Sequence, residues 1–184
     1  MLAVMVLGCA RPRYGASSGP DPAAALARRP PMALDQVWLI ERGGSSPGDT
    51  VVTFRSASGR TVVLRHPAPD NATFAVLRVA ADSSTDRERT LTLTPTPGRY
   101  GLTVTIDGGL PEGTTLLFSY AAHFVAPAEA IVRYPTLTQL ERGIGVGRLR
   151  PDSLIEFVAA TRPAADMLMI PLTSSGRYLL AAPR

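Results

Sequence analysis

From Asp49 onward, apolar and polar residues alternate in short runs that are broken by turn residues. The clearest runs are "TLTLTP", with Leu91 and Leu93 on one face, and "RYGLTVTID", with Tyr100, Leu102, Val104 and Ile106 on one face. A repeat of two is the spacing of a half-buried strand, because successive side chains point to opposite sides. "TVVTFRS", "TVVLRH", "TFAVLRVA", "TTLLFSYAAHF", "SLIEFVAA" and "RYLLAA" extend the series, and "SASG", "PAPDN", "DGGLPEG" and "TSSG" supply the turns. Together they predict about eight to ten strands, enough for two packed antiparallel sheets.

Upstream, "DQVWLIE" predicts a strand over Val37–Glu41 with Trp38 in the core, and "GGSSPGD" a loop. One short helical turn is expected in "APAEAIVRYP", with Pro127 at a first helical position, Glu129 in the first turn and Pro135 as the stop. The expected fold is all-β: an antiparallel two-sheet β-sandwich with one short helical turn, preceded by a flexible tether. The boundaries are a signal-like apolar segment over 1–8, a Pro/Gly/Ala-rich tether over 9–35, and the sandwich over 36–184.

Composition agrees with strands and turns. The 184 residues are 45% apolar, with 16 Gly and 17 Pro, enough for one domain with a core that needs no staple. All 19 basic residues are arginine, scattered along a chain of net charge +4. Arg28–Arg29 is the one adjacent pair, so no basic stripe for nucleic acid is expected. A single cysteine excludes an intrachain disulfide framework and any multi-cysteine metal site. Asp82, Asp86 and Glu88 in "DSSTDRE" lack the alternating ligands and central glycine of a calcium loop and read as a solvated hairpin tip. No metal and no cofactor is expected.

Catalytic candidates are few. A hydrolase needs a nucleophile, a base and an orienting group, and the chain has two histidines, His66 and His123, with no G-x-S-x-G elbow. His66, before "PAPDN", is expected to hydrogen-bond its loop, and His123 to be a core or rim imidazole. Ser119 and His123 share a strand face but stand too far apart for direct proton transfer. "RGIGVGRL" is glycine-rich, yet Gly143, Gly145 and Gly147 alternate with Ile144 and Val146 as in a strand. They are expected to leave one sheet face bare for close approach by a backbone or an aromatic ring rather than to cradle phosphate. "PGRYGL" at 97–102 echoes "SGRYLL" at 175–180; both read as a tight turn feeding a core strand, with Tyr100 and Tyr178 covering the sandwich end. Asn71–Thr73 matches an N-glycosylation acceptor.

"VLGC", Val6–Cys9, resembles the lipobox of bacterial lipoproteins. The resemblance implies diacylation of Cys9 after signal cleavage, a membrane partner through that anchor, and a cell-envelope location. Ala10 lacks the aspartate associated with inner-membrane retention, which implies the outer membrane. With no charged residue before the apolar run, and Arg11 and Arg13 just after it, the true start is expected upstream. The alternative is an apolar N-terminus with an incidental cysteine in a cytoplasmic protein. From 61 to 182 the order of elements is similar to the β-sandwich module shared by ankyrins, netrin receptors and zonula-occludens scaffolds, through "FAVLRVAADSS", "TLTLTP", "HFVAPAEA" and "GRYLLAA". That likeness implies a sandwich that binds a protein or glycan without catalysis. The expected function is therefore an envelope lipoprotein with a non-catalytic binding or structural module. An envelope hydrolase using His66 or His123 and an accessory subunit that binds by strand addition stand as alternatives.

Overall fold

The computed structural model describes residues 22–184. The alternating runs form strands whose apolar sides meet between two sheets, and every pairing is antiparallel. The larger sheet runs in the order β1 (Met32–Ala33), β12 (Leu154–Val158), β11 (Gly145–Leu149), β14 (Gly176–Pro183), β8 (Gly101–Ile106), β7 (Glu88–Pro95) and β4 (Thr50–Arg55). β2 (Val37–Leu39) pairs with β14 beyond the end of β8. The smaller sheet runs β13 (Met167–Pro171), β9 (Thr115–Ser119), β6 (Thr73–Val79) and β5 (Arg60–Arg65). A two-stranded ribbon of β3 (Glu41–Arg42) and β10 (Phe124–Val125) closes one end. The molecule is an all-β sandwich with little helix.

The predicted inward residues Leu91, Leu93, Tyr100, Leu102, Val104 and Ile106 are buried in the main core, as is Trp38. On the solvent face of β7 and β8 the intervening positions are mostly threonines, matched as Thr92 with Thr105 and Thr94 with Thr103, and β4 adds Val51, Thr53 opposite Thr90, and Arg55. That half of the outer face is open.

The other half is covered by part of the stretch expected as tether; the expected segment 1–8 and residues 9–21 of the tether lie outside the described residues, while 22–35 is folded rather than free. Residues 22–36 pack on the sheet: α1 (Pro22–Leu26) buries Ala23 and Leu26, and Met32 and Ala33 add β1 to the edge of β12. Leu26 joins Val37, Ile155, Phe157, Leu179 and Ala181 in a second apolar cluster. The stretch reads as linker in the sequence because five helical residues are too few to display a 3.6-residue period. Its docking needs a bare sheet surface, and the alternating glycines provide it. A Cβ on Gly145 would stand 2.7 Å from Leu26 Cδ1, and one on Gly147 would overlap Ile155 Cγ2. The close approach is thus made by aliphatic groups and Phe157.

The helical turn at Ala128–Val132 is present as 3-10 helix, but α2 (Leu137–Gly143) follows it, so the expectation of one helical turn falls short. Thr136 and Gln139 form a reciprocal capping box at its start. Arg162 closes its end, donating to the carbonyls of Glu141 and Ile144 at 2.7 and 2.6 Å, where the helix dipole favours a cation. The strand in "MLMIPL" was not among those expected, since its residues are almost all apolar and show no alternation.

A β-branched side chain at Gly147 has to displace Ile155, so Gly147→Val is expected to destabilise the fold by about 1–3 kcal/mol. Gly48→Ala, where nothing lies within 4 Å, is expected to change stability by less than about 0.5 kcal/mol. Thermal melts of the two variants check the contrast.

Candidate functional site

The two histidines, 57 positions apart in the chain by their numbers, meet at one end of the sandwich, with ring centroids 4.7 Å apart. His66 follows β5, and its N–H donates to the Ala72 carbonyl at 2.8 Å, closing the loop that carries Asp70. His123 sits in the turn after β9 with φ of 60°, a left-handed conformation that is uncommon for a residue with a side chain. Its carbonyl accepts from Gly43 N–H at 2.8 Å, and its Nε2 lies 2.6 Å from Asp70 Oδ2. An imidazole oriented by a carboxylate is the base half of a catalytic arrangement.

Around that pair the groups are occupied by the fold. His66 is 2% exposed, edge-on to Phe74, with Tyr100 on another side. Neither of its nitrogens has a partner in hydrogen-bond geometry, though the Ser45 backbone lies near enough to favour a proton on the ring. The expected hydrogen bond from this imidazole to its own loop is therefore not made; only its backbone closes the loop. Burial, then the fields of His123 and Arg42, hold the His66 pKa below the usual histidine value. Arg42, 5% exposed, turns its guanidinium onto the carbonyls of Gly43, Gly44 and Ser45 and the Ser46 hydroxyl. Burial lowers its pKa as well.

Tyr100 donates its hydroxyl to the Ala122 carbonyl, and burial pushes its pKa up to about 12, with Arg42 opposing. Tyr178 instead bonds the Ser174 carbonyl four residues upstream at 2.7 Å, the local closure expected of a tyrosine corner. The two halves of the "GRY" echo therefore serve different loops.

Among the described residues the side-chain hydrogen bond of His123 is to Asp70, with no hydroxyl or thiol bonded to its ring. A side chain at Gly44 would crowd His123, since an added Cβ would come within 3.1 Å of its Nδ1, and the φ of +68° suits glycine. Ser119 is buried in β9 and makes no hydrogen bond to His123. Asp70, Arg42 and the Ala122 carbonyl were not legible as partners in the sequence; only the turn residues around them were.

The other sequence candidates are dispersed. Asp82 pairs with buried Arg89 at 2.8 Å and Asp86 with Arg55 at 2.5 Å, and hydrogen bonds from Ser84 and Arg55 respectively hold their carboxyls below the usual range. Among the described residues no group of three or more His, Cys, Asp or Glu is placed to hold a metal. Gly145 and Gly147 lie in β11 under apolar cover, and Gly143 ends α2 against the Tyr134 ring. Asn71 sits exposed in the His66 loop with φ of 50°. Cys9 lies outside the described residues.

Because His66 is held neutral in the fold, the unfolded chain binds the proton more readily below its ordinary value of 6.5, and stability falls with pH below that point. Thermal melts from pH 7 to pH 5 are expected to show a shallower decline for His66→Phe than for the wild-type chain. Equal declines would remove the assignment. No family model matches the chain, and neither a curated protein nor a solved structure shows significant similarity to it.

Proposed function

We propose that the chain is a membrane-anchored envelope lipoprotein, held through Cys9 on the outer membrane of a bacterial cell, whose β-sandwich is a non-catalytic binding or structural module. The observation that carries the non-catalytic reading is the closure of the histidine cluster. The Arg42 Nη atoms are engaged by the carbonyls and hydroxyl of loop 43–46, the Tyr100 hydroxyl by the Ala122 carbonyl, and His123 Nε2 by Asp70. Such a cluster fixes the loops of the sandwich end rather than presenting a nucleophile. Support for anchoring is the "VLGC" stretch.

The contact mode the geometry favours is strand addition. β4 is the last strand of the larger sheet's order, paired with β7 on one side, and its solvent face carries Val51 and Thr53 with Arg55 as its one charge. A specific observation favours a second reading, an envelope hydrolase: the Asp70–His123 pair already has the spacing of a base and its orienting carboxylate.

Radiolabelled palmitate is expected to enter the wild-type protein and not Cys9→Ser; labelling indifferent to the substitution removes the anchor. Screening ester and glycan substrates is expected to show no activity that His123→Ala abolishes. An activity lost in that variant, with melting unchanged, would establish the second reading instead.

A further inference from the structure

Beside α1 and α2, two clefts share the wall formed by Tyr134. One, about 550 Å³, is lined by Pro22, Leu26, Arg29, Arg133 and Arg142. The other is smaller and apolar, running past Ile131 and Leu137. All three arginines are exposed, and among the described residues none has a carboxylate within ion-pair distance. Glu129, on the same 3-10 turn, lies 4.0 Å from Arg184, and Glu141 is half-buried on α2.

Next to this unpaired charge stand the most exposed apolar side chains of the region. Val132 is 87% exposed, Ile131 66% and Leu137 53%. An aliphatic side chain almost wholly in water costs free energy that burial would recover, and three of them on adjoining turns make a patch rather than scattered surface residues. Apolar tips flanked by arginines match the interface of an anionic bilayer, where methyl groups enter the acyl boundary and guanidinium groups meet phosphates.

We infer that the surface formed by Arg29, Arg133, Arg142, Ile131, Val132 and Leu137 docks directly on anionic phospholipid. This goes beyond a covalent anchor and does not require one: the lipid would hold the chain near the membrane, and this face would set which way the sandwich points, with the threonine-rich face of β7 and β8 left free.

The test uses the full chain carrying Cys9→Ser, so that it is independent of acylation, in sedimentation with vesicles of phosphatidylglycerol and phosphatidylcholine or of phosphatidylcholine alone. Binding is expected to the anionic vesicles and to weaken as salt shortens the screening length. The triple variant Arg29→Glu/Arg133→Glu/Arg142→Glu is expected to lose at least about tenfold in partitioning, and Val132→Asp several-fold. Arg60→Glu/Arg78→Glu, exposed on the smaller sheet, serves as the comparison for charge alone and is expected to retain binding. Melting curves confirm that each variant is folded. No binding to anionic vesicles, equal binding to both kinds, or an equal loss in the comparison variant overturns the inference. Palmitate labelling of Cys9 reports on the anchor separately, so the two can fail independently.

Discussion

The architecture depends on burying both faces of β14. Tyr178, Leu180 and Ala182 point into the sandwich, while Leu179 and Ala181 belong to the second cluster on the outer side. A strand in that position cannot leave one face to water as an ordinary antiparallel strand does. It needs a cover, and Leu26, Met32, Val37 and Leu39 contribute to it in one cluster with Leu179 and Ala181, while α1 itself packs on β11 and β12. The cover in turn requires a bare neighbouring surface, which explains the glycines of β11, and a bend in the chain that brings Met32 and Ala33 to the edge of β12.

Where side-chain alternation alone decides the outcome, the sequence is a good guide. β4, β5, β6, β7, β8 and β12 fall where period-two runs and turn residues put them, because each alternates a buried with a more exposed side, and β14 is found through the turn before it rather than through alternation. The failures have physical causes. "MLMIPL" shows no alternation, and 22–36 has too little of any period to be told from a linker. α2 carries a capping box in Thr136 and Gln139, a local signal that points to a helix start without help from tertiary structure.

The site was less legible than the fold. Both histidines stand out in a chain that has two, but their partners are set by loop geometry: Asp70 lies 53 residues from His123. No spacing rule links them, since residues on separate turns are joined only once both sheets have packed. Arg42 is similar. In the sequence it is one scattered arginine among many, and in the fold it is a buried cation neutralised by carbonyl dipoles of the next three residues. A buried charge without a carboxylate is costly, and the Nη donors of Arg42 offset that cost by holding loop 43–46, while its Nε is buried without a partner.

The place of β14 also governs when the molecule can assemble. The sub-sheet of β4, β7 and β8 and that of β1, β11 and β12 are joined through residues 176–183. A nascent chain emerging from the ribosome can pair hairpins within each half, but no shared seam exists until those residues have been synthesised. Closure is therefore a late event between distant parts of the polypeptide, which makes folding slow by topology. A translocation apparatus that accepts only unfolded polypeptide would have that interval in which to engage it.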